Sequence, residues 1–175
     1  MKTVQLTLLL AILSVIVSSC EKDSKSDNEV PGQIDLTNVS LTNSNRNFVA
    51  KGITFSGANG YDGGQWQNCV NPDGAQIRVN NTSGGYNGIE LAYTDFNTLI
   101  ADVSDLPPIS RVTVKFFNNC CPTLSVCGPN GVIASTQNAS NQGANATMVL
   151  NFDQQQVEKV SFQSLESIVA SITIE

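Results

Sequence analysis

The chain has 175 residues, 14% of them charged, with 9 Lys and Arg against 15 Asp and Glu and a formal net charge of −6. It has no histidine, which removes Ser-His-Asp and Cys-His nucleophilic catalysis and His-ligated zinc or iron. Scattered basic residues on an acidic background leave no electrostatic footprint for DNA or RNA, so no nucleic-acid partner is expected.

Lys2 precedes an apolar run, residues 4–17, broken only by Gln5, Thr7 and Ser14. At about 14 residues the run is too short to cross ~30 Å of hydrocarbon as a helix. Its flanks are those of a secretory signal. It ends in "VSSC", small residues leading to Cys20. That ending resembles the lipobox of bacterial lipoproteins. The resemblance implies a signal peptide over 1–19, lipidation of Cys20, and a membrane partner reached through that lipid. Several acyl chains together anchor durably, at roughly 0.8 kcal/mol per buried CH₂. The stretch "EKDSKSDNEVPGQ" is charged, Ser-rich and without apolar period, so 20–33 is expected as a flexible tether. Gram-negative lipoproteins kept at the inner membrane commonly carry Asp after the cysteine. Glu21 stands there instead, which implies the cell envelope's outer membrane. The acidic, lysine-bearing tether also resembles those of surface-exposed lipoproteins.

Residues 34–175 have the length of one domain. Their polarity alternates with a period of two, the mark of strands with one oily and one wet face. Ile34 and Leu36 share a face, then Ile53 and Phe55, Ile77 and Val79, and Ile89, Leu91 and Tyr93. "DFNTLIADVSDL" has helical spacing at Phe96, Leu99, Ile100 and Val103 but few helix formers, and Pro107-Pro108 ends it. A strand or a single helical turn is expected there. "RVTVKFF" aligns Val112, Val114 and Phe116 inward, and "TLSVCGPNGVIAS" is a hairpin by its Gly-Pro-Asn-Gly turn. In "SIVASITIE" the alternation places Ile168, Ala170, Ile172 and Ile174 on one face. The pattern predicts an all-β, antiparallel two-sheet β-sandwich of about eight to ten strands, a jelly roll first and an immunoglobulin-like sandwich second. The closing "VSFQSLESIVASITIE" resembles the last strands of jelly-roll domains in secreted bacterial proteins, many of them carbohydrate-binding-like modules. Ala170-Ser171 stands where that pattern carries an acidic residue, which weakens any transfer of its metal role.

Cys69, Cys120, Cys121 and Cys127 read as two disulfides in an oxidising compartment. Adjacent cysteines must distort the peptide between them to pair. The expected solution therefore joins Cys127 to one of Cys120 and Cys121, and Cys69 to the other. The spacing fits neither a four-thiolate zinc site nor a redox pair.

"GANGYDGGQWQNC" gathers the only tryptophan with glycines and planar polar side chains. Tyr61 and Trp66 offer flat apolar faces, and Asp62, Gln65 and Asn68 offer planar donors and acceptors. Flat faces beside planar polar groups suit a sugar ring. Tyr86 and Asn87 in "SGGYNG" repeat the mixture, so the two loops would make one glycan platform if they meet at one end of the sandwich. The alternative packs Trp66 inward beside the Cys69 bridge. "NGYDGG" and "VNPDGAQ" could each offer oxygens to calcium, though neither has the full loop pattern and Asp-Gly is ordinary turn chemistry. No other cofactor or metal is expected, and no pair stands out among Asp62, Asp73, Glu90, Asp95, Asp102 and Asp105 for carboxylate catalysis. The sequence thus predicts a lipid-anchored, non-catalytic ligand-binding module, for carbohydrate first. An envelope lipoprotein that meets another protein is the alternative, and a small carboxylate-dependent hydrolase the weaker one.

Overall fold

The computed structural model describes residues 29–41, 45–80, 86–92, 96–137 and 143–175. The expected signal peptide, Cys20 and most of the expected tether lie outside them, as do Tyr93 and the side chain of Cys120. The described chain is β throughout. Its strands are β1 (Gly32–Asp35), β2 (Asn47–Ala50), β3 (Ile53–Ala58), β4 (Tyr61–Asp62), β5 (Gln65–Trp66), β6 (Arg78–Asn80) and β7 (Gly88–Leu91). There follow β8 (Thr98–Asp102), β9 (Ile109–Cys120), β10 (Thr123–Gly128), β11 (Gly131–Gln137), β12 (Gly143–Gln155), β13 (Lys159–Gln163) and β14 (Glu166–Ile174).

Four antiparallel pairs are nested in the second half of the chain: β10 with β11, β9 with β12, β8 with β13, and β7 with β14. Wrapping such a nested hairpin around a core sends successive strands to opposite sheets. Sheet A runs β12-β9-β14-β7-β6, with β1 added to β14, and sheet B runs β11-β10-β13-β8-β3-β2. This is jelly-roll connectivity. Each sheet has six strands, so the sandwich exceeds the eight to ten expected. The extra pieces are short edge strands ahead of β7.

The period-two pattern selects the core. Ile34, Phe55, Ile89, Leu91, Val112, Val114, Leu124, Val126 and Phe162 are almost completely buried between the sheets. Each such side chain contributes about 2 kcal/mol relative to exposure. Phe116 and Phe162 meet across the core with ring centroids 4.9 Å apart. The ambiguous 95–106 segment supplies strand β8, with Leu99 and Ala101 inward and a turn at Val103–Leu106 beyond it.

One alternation fails. Residues Val169, Ile172 and Ile174 face the core, whereas Ile168 and Ala170 are half-buried on the outer side. The β9–β14 register slips between Val169 and Ser171. Such a bulge inserts one residue and reverses the facing of everything beyond it.

Candidate functional site

On β10, Leu124 and Val126 point inward, so Thr123, Ser125 and Cys127 point out of the sandwich, yet all three are buried. The cause is segment 59–76, which lies over the outer face of sheet B. Its anchor is a disulfide from Cys69 to Cys127, with Cα atoms 5.8 Å apart. The expected pairing is therefore wrong for Cys127. Its outward position on the sheet faces the overlying loop, not the turn at Cys121. Cys121 is itself disulfide-bonded.

Hydrogen bonds complete the attachment. Gln163 Nε2 donates to the Gln67 carbonyl at 2.9 Å, and the Gly60 amide donates to Asn97 Oδ1 at 2.7 Å. The Lys159 ammonium donates to Asn71 Oδ1 at 2.7 Å and to the carbonyls of Val70 and Cys69 at 3.3 and 3.4 Å. Charge-assisted bonds of this kind are worth about twice neutral ones. Gly60 packs so closely on Gln163 and Thr98 that a Cβ would collide with both side chains.

At the tip, β4 and β5 form a small hairpin whose turn residues Gly63 and Gly64 have φ of 55° and 85°. Positive φ at both positions is what a type I′ turn requires. The turn sets Tyr61 directly across from Trp66, with ring centroids 5.0 Å apart at 62°. Trp66 neither enters the core nor stands free. It is half-buried and walls a cleft of about 340 Å³ with Gly64, Gln65, Asn68, Thr123, Ser135 and Gln137. Of the predicted residues, Gln65, Trp66 and Asn68 line this cleft, Tyr61 backs the indole, and Asp62 is exposed at the turn.

The cleft floor is the part that sequence reading missed. Thr123 is only 4% exposed, lines the cleft, and its Oγ1 has no hydrogen-bond partner. Its cross-strand neighbour Gln163 has an unpartnered Oε1, and Ser161, opposite Ser125, has an unpartnered Oγ. Ser125 Oγ is used, lying 3.0 Å from Asn68 Oδ1 and 3.1 Å from Ser135 Oγ. Leaving a buried polar atom unpaired costs about 1–3 kcal/mol, and of the three only Thr123 lines the cleft, so its hydroxyl marks the place that a polar ligand or water would complete.

Tyr86 and Asn87 are elsewhere. They line a separate cavity of about 340 Å³ on sheet A, where Tyr86 tilts over Phe117 with centroids 4.3 Å apart. The two loops therefore do not form one platform. They share no lining residue, and one lies over sheet B whereas the other leads into β7 of sheet A. Glu90 is half-buried and lines a neighbouring cavity with Glu166.

The two stretches considered for calcium meet but leave little for a cation. Asp73 Oδ2 accepts the Asn59 amide at 2.9 Å and Oδ1 accepts the Ala75 amide at 2.8 Å. Three further loop oxygens face the Lys159 ammonium. Among the described residues there is no group of three or more acidic, Cys or His side chains placed to hold a metal. With both Asp73 oxygens and three loop oxygens already engaged, these residues do not fit calcium.

No protein-family model and no curated protein matches the sequence. Among solved structures, the chain is similar to one titled "Carbohydrate-Binding Module CBM36 in complex with calcium and xylotriose". The two share 10% identity and a TM-score of 0.39, over 58% of this chain and 93% of that one.

Proposed function

We propose that this chain is a lipid-anchored, non-catalytic carbohydrate-binding lipoprotein of a bacterial outer membrane, with the Trp66 cleft as its sugar site. The observation that carries the reading is the unpartnered, buried Thr123 hydroxyl in a cleft walled by the only tryptophan. A pyranose ring has an apolar C–H face and a rim of hydroxyls. The indole of Trp66 takes the face. Gln65, Asn68, Ser135 and Gln137 address the rim, and Thr123 completes its own hydrogen bonding on the inserted hydroxyl. The disulfide and the Lys159 contacts hold the loop in place beforehand, which lowers the ordering cost of binding. Lipid at Cys20 and the tether that follows present the domain to extended glycan outside the cell body.

Affinity electrophoresis tests this. Full-length protein is run through native gels containing soluble xylan, mannan or mixed-linkage β-glucan. Retardation by at least one polysaccharide, reduced about 30-fold in apparent affinity by Trp66→Ala, is expected for a central aromatic worth ~2 kcal/mol. Unretarded migration in every gel, with an envelope protein co-purifying instead, would transfer the function to protein interaction.

A further inference from the structure

Sheet A carries a second surface that the Trp66 cleft does not use. Its outer face includes a row of register partners crossing four strands: Phe117 on β9, Ile168 on β14, Glu90 on β7 and Arg78 on β6. Three inter-strand spacings of ~4.8 Å make this row about 14 Å long. The bulge in β14 brings it about, because it leaves Ile168 and Ala170 on the outside of the central strand while Val169 and Ile172 fill the core. Two cavities of about 340 and 520 Å³ lie on either side of this row and share Phe117 and Ile168. Together they form one groove.

We infer that this groove is a second binding site, for an extended neutral polysaccharide strand lying across the β-strands. The lining carries the argument. The floor is an apolar strip about one side chain wide, Phe117 under Tyr86 with Ile168 and Ala170 beside it. A protein partner would want a broader apolar centre with charges pushed to the rim. One bank holds Asn87, Asn145 and Thr147, uncharged groups that both donate and accept. The other holds Glu90 and Glu166, whose carboxylates accept hydroxyl pairs. Arg78 is the register partner of Glu90, and Lys115 lines the first cavity, so the face carries both signs of charge and selects for neither strong cations nor strong anions. An apolar strip between banks of hydroxyl-binding groups matches a linear chain of sugar rings. With the Trp66 cleft on the opposite sheet, the domain would hold two glycan strands at once. The ligand class rests on the proposed function, whereas the location rests on sheet A alone.

The test is calorimetric titration of the full-length lipoprotein in detergent with xylan, mannan and mixed-linkage β-glucan oligosaccharides. Wild type is expected to show two classes of site, and Trp66→Ala one. Phe117→Ala should weaken that remaining class at least tenfold. Because Phe117 also supports Tyr86, Thr147→Arg provides a second arm, obstructing the groove from an exposed position. The double variant Trp66→Ala/Thr147→Arg should bind nothing. If Trp66→Ala alone removes all binding, or if Phe117→Ala and Thr147→Arg both titrate like wild type, the second site is overturned and the first stands. If Trp66→Ala changes nothing while Phe117→Ala and Thr147→Arg abolish binding, the second site stands and the first falls. Absence of any heat with wild type overturns both.

Discussion

The outer faces of the two sheets begin from the same alternation and end differently. Sheet B's outward positions are small and polar, Thr123, Ser125, Ser161 and Gln163, and segment 59–76 buries them. Sheet A's include Phe117, Ile168 and Ala170, and these remain half-exposed. A polar face sealed by a tethered loop makes a narrow cleft with a buried hydroxyl at its floor. An apolar strip left open makes a groove. Wet and oily faces, as a sequence shows them, are thus poor guides to which face ends under cover. The long-range crosslink decides it.

Breaking the cover should have the largest effect. Removing the bridge with Cys69→Ser/Cys127→Ser frees a connection spanning 58 residues. The chain-entropy estimate is about 4 kcal/mol. Urea denaturation should register that loss, and the indole emission of the folded variant should shift red as the loop lifts, with the sheet A groove unaffected. Gly60→Ala comes next. A methyl group there meets Gln163 and Thr98, and overpacking of this kind costs typically 1–3 kcal/mol. Thermal melting should show it, whereas Val49→Ala on exposed strand β2 should leave the melt almost unchanged.

Lys159→Met sharpens the comparison at lower cost. It removes an ammonium that holds three loop oxygens, and bonds to charged groups contribute about 1.5–3 kcal/mol, of which partial exposure screens a good part. Faster hydrogen exchange across 69–71, with exchange in β9 and β14 unchanged, is the expected pattern. The smallest effect lies at the border of sheet A. The Thr37 hydroxyl donates to Asp35 at 2.7 Å and its amide at 2.9 Å, and both bonds hold the Asp35 carboxyl below its ordinary value of 3.8. A depressed carboxylate stabilises the fold above its unfolded pKa and loses that contribution as pH falls through the folded one. Protonation below pH 3.8 should therefore loosen the turn after β1, and Asp35→Asn should remove this slight acid sensitivity. NMR titration of the Thr37 amide checks both.

Most of the architecture was legible because strands in a two-faced sandwich need alternating polarity, and Gly-Pro-Asn-Gly at 128–131 announced the β10–β11 hairpin. What was not legible depends on register or on distant chain. Nothing in "SIVASITIE" announces the bulge that turns Ile168 and Ala170 outward, because a slipped register looks like continued alternation. The burial of Thr123 and Ser125 has no signal in their own strand, since it comes from a loop more than fifty residues earlier (separation 58 at the bridge). Trp66 with Gln65 and Asn68 was readable as a site from composition alone. Its separation from Tyr86 was not, because the sheet each loop joins is a property of the topology.

Trp66 is the only tryptophan, so its fluorescence reports the cleft without interference. Titration of the intact protein with a polysaccharide that retards it in native gels should move the indole emission to shorter wavelength and protect it from acrylamide, saturably, as a sugar ring covers the exposed side. Saturated binding that leaves both the emission and the quenching of Trp66 unaltered would contradict the account.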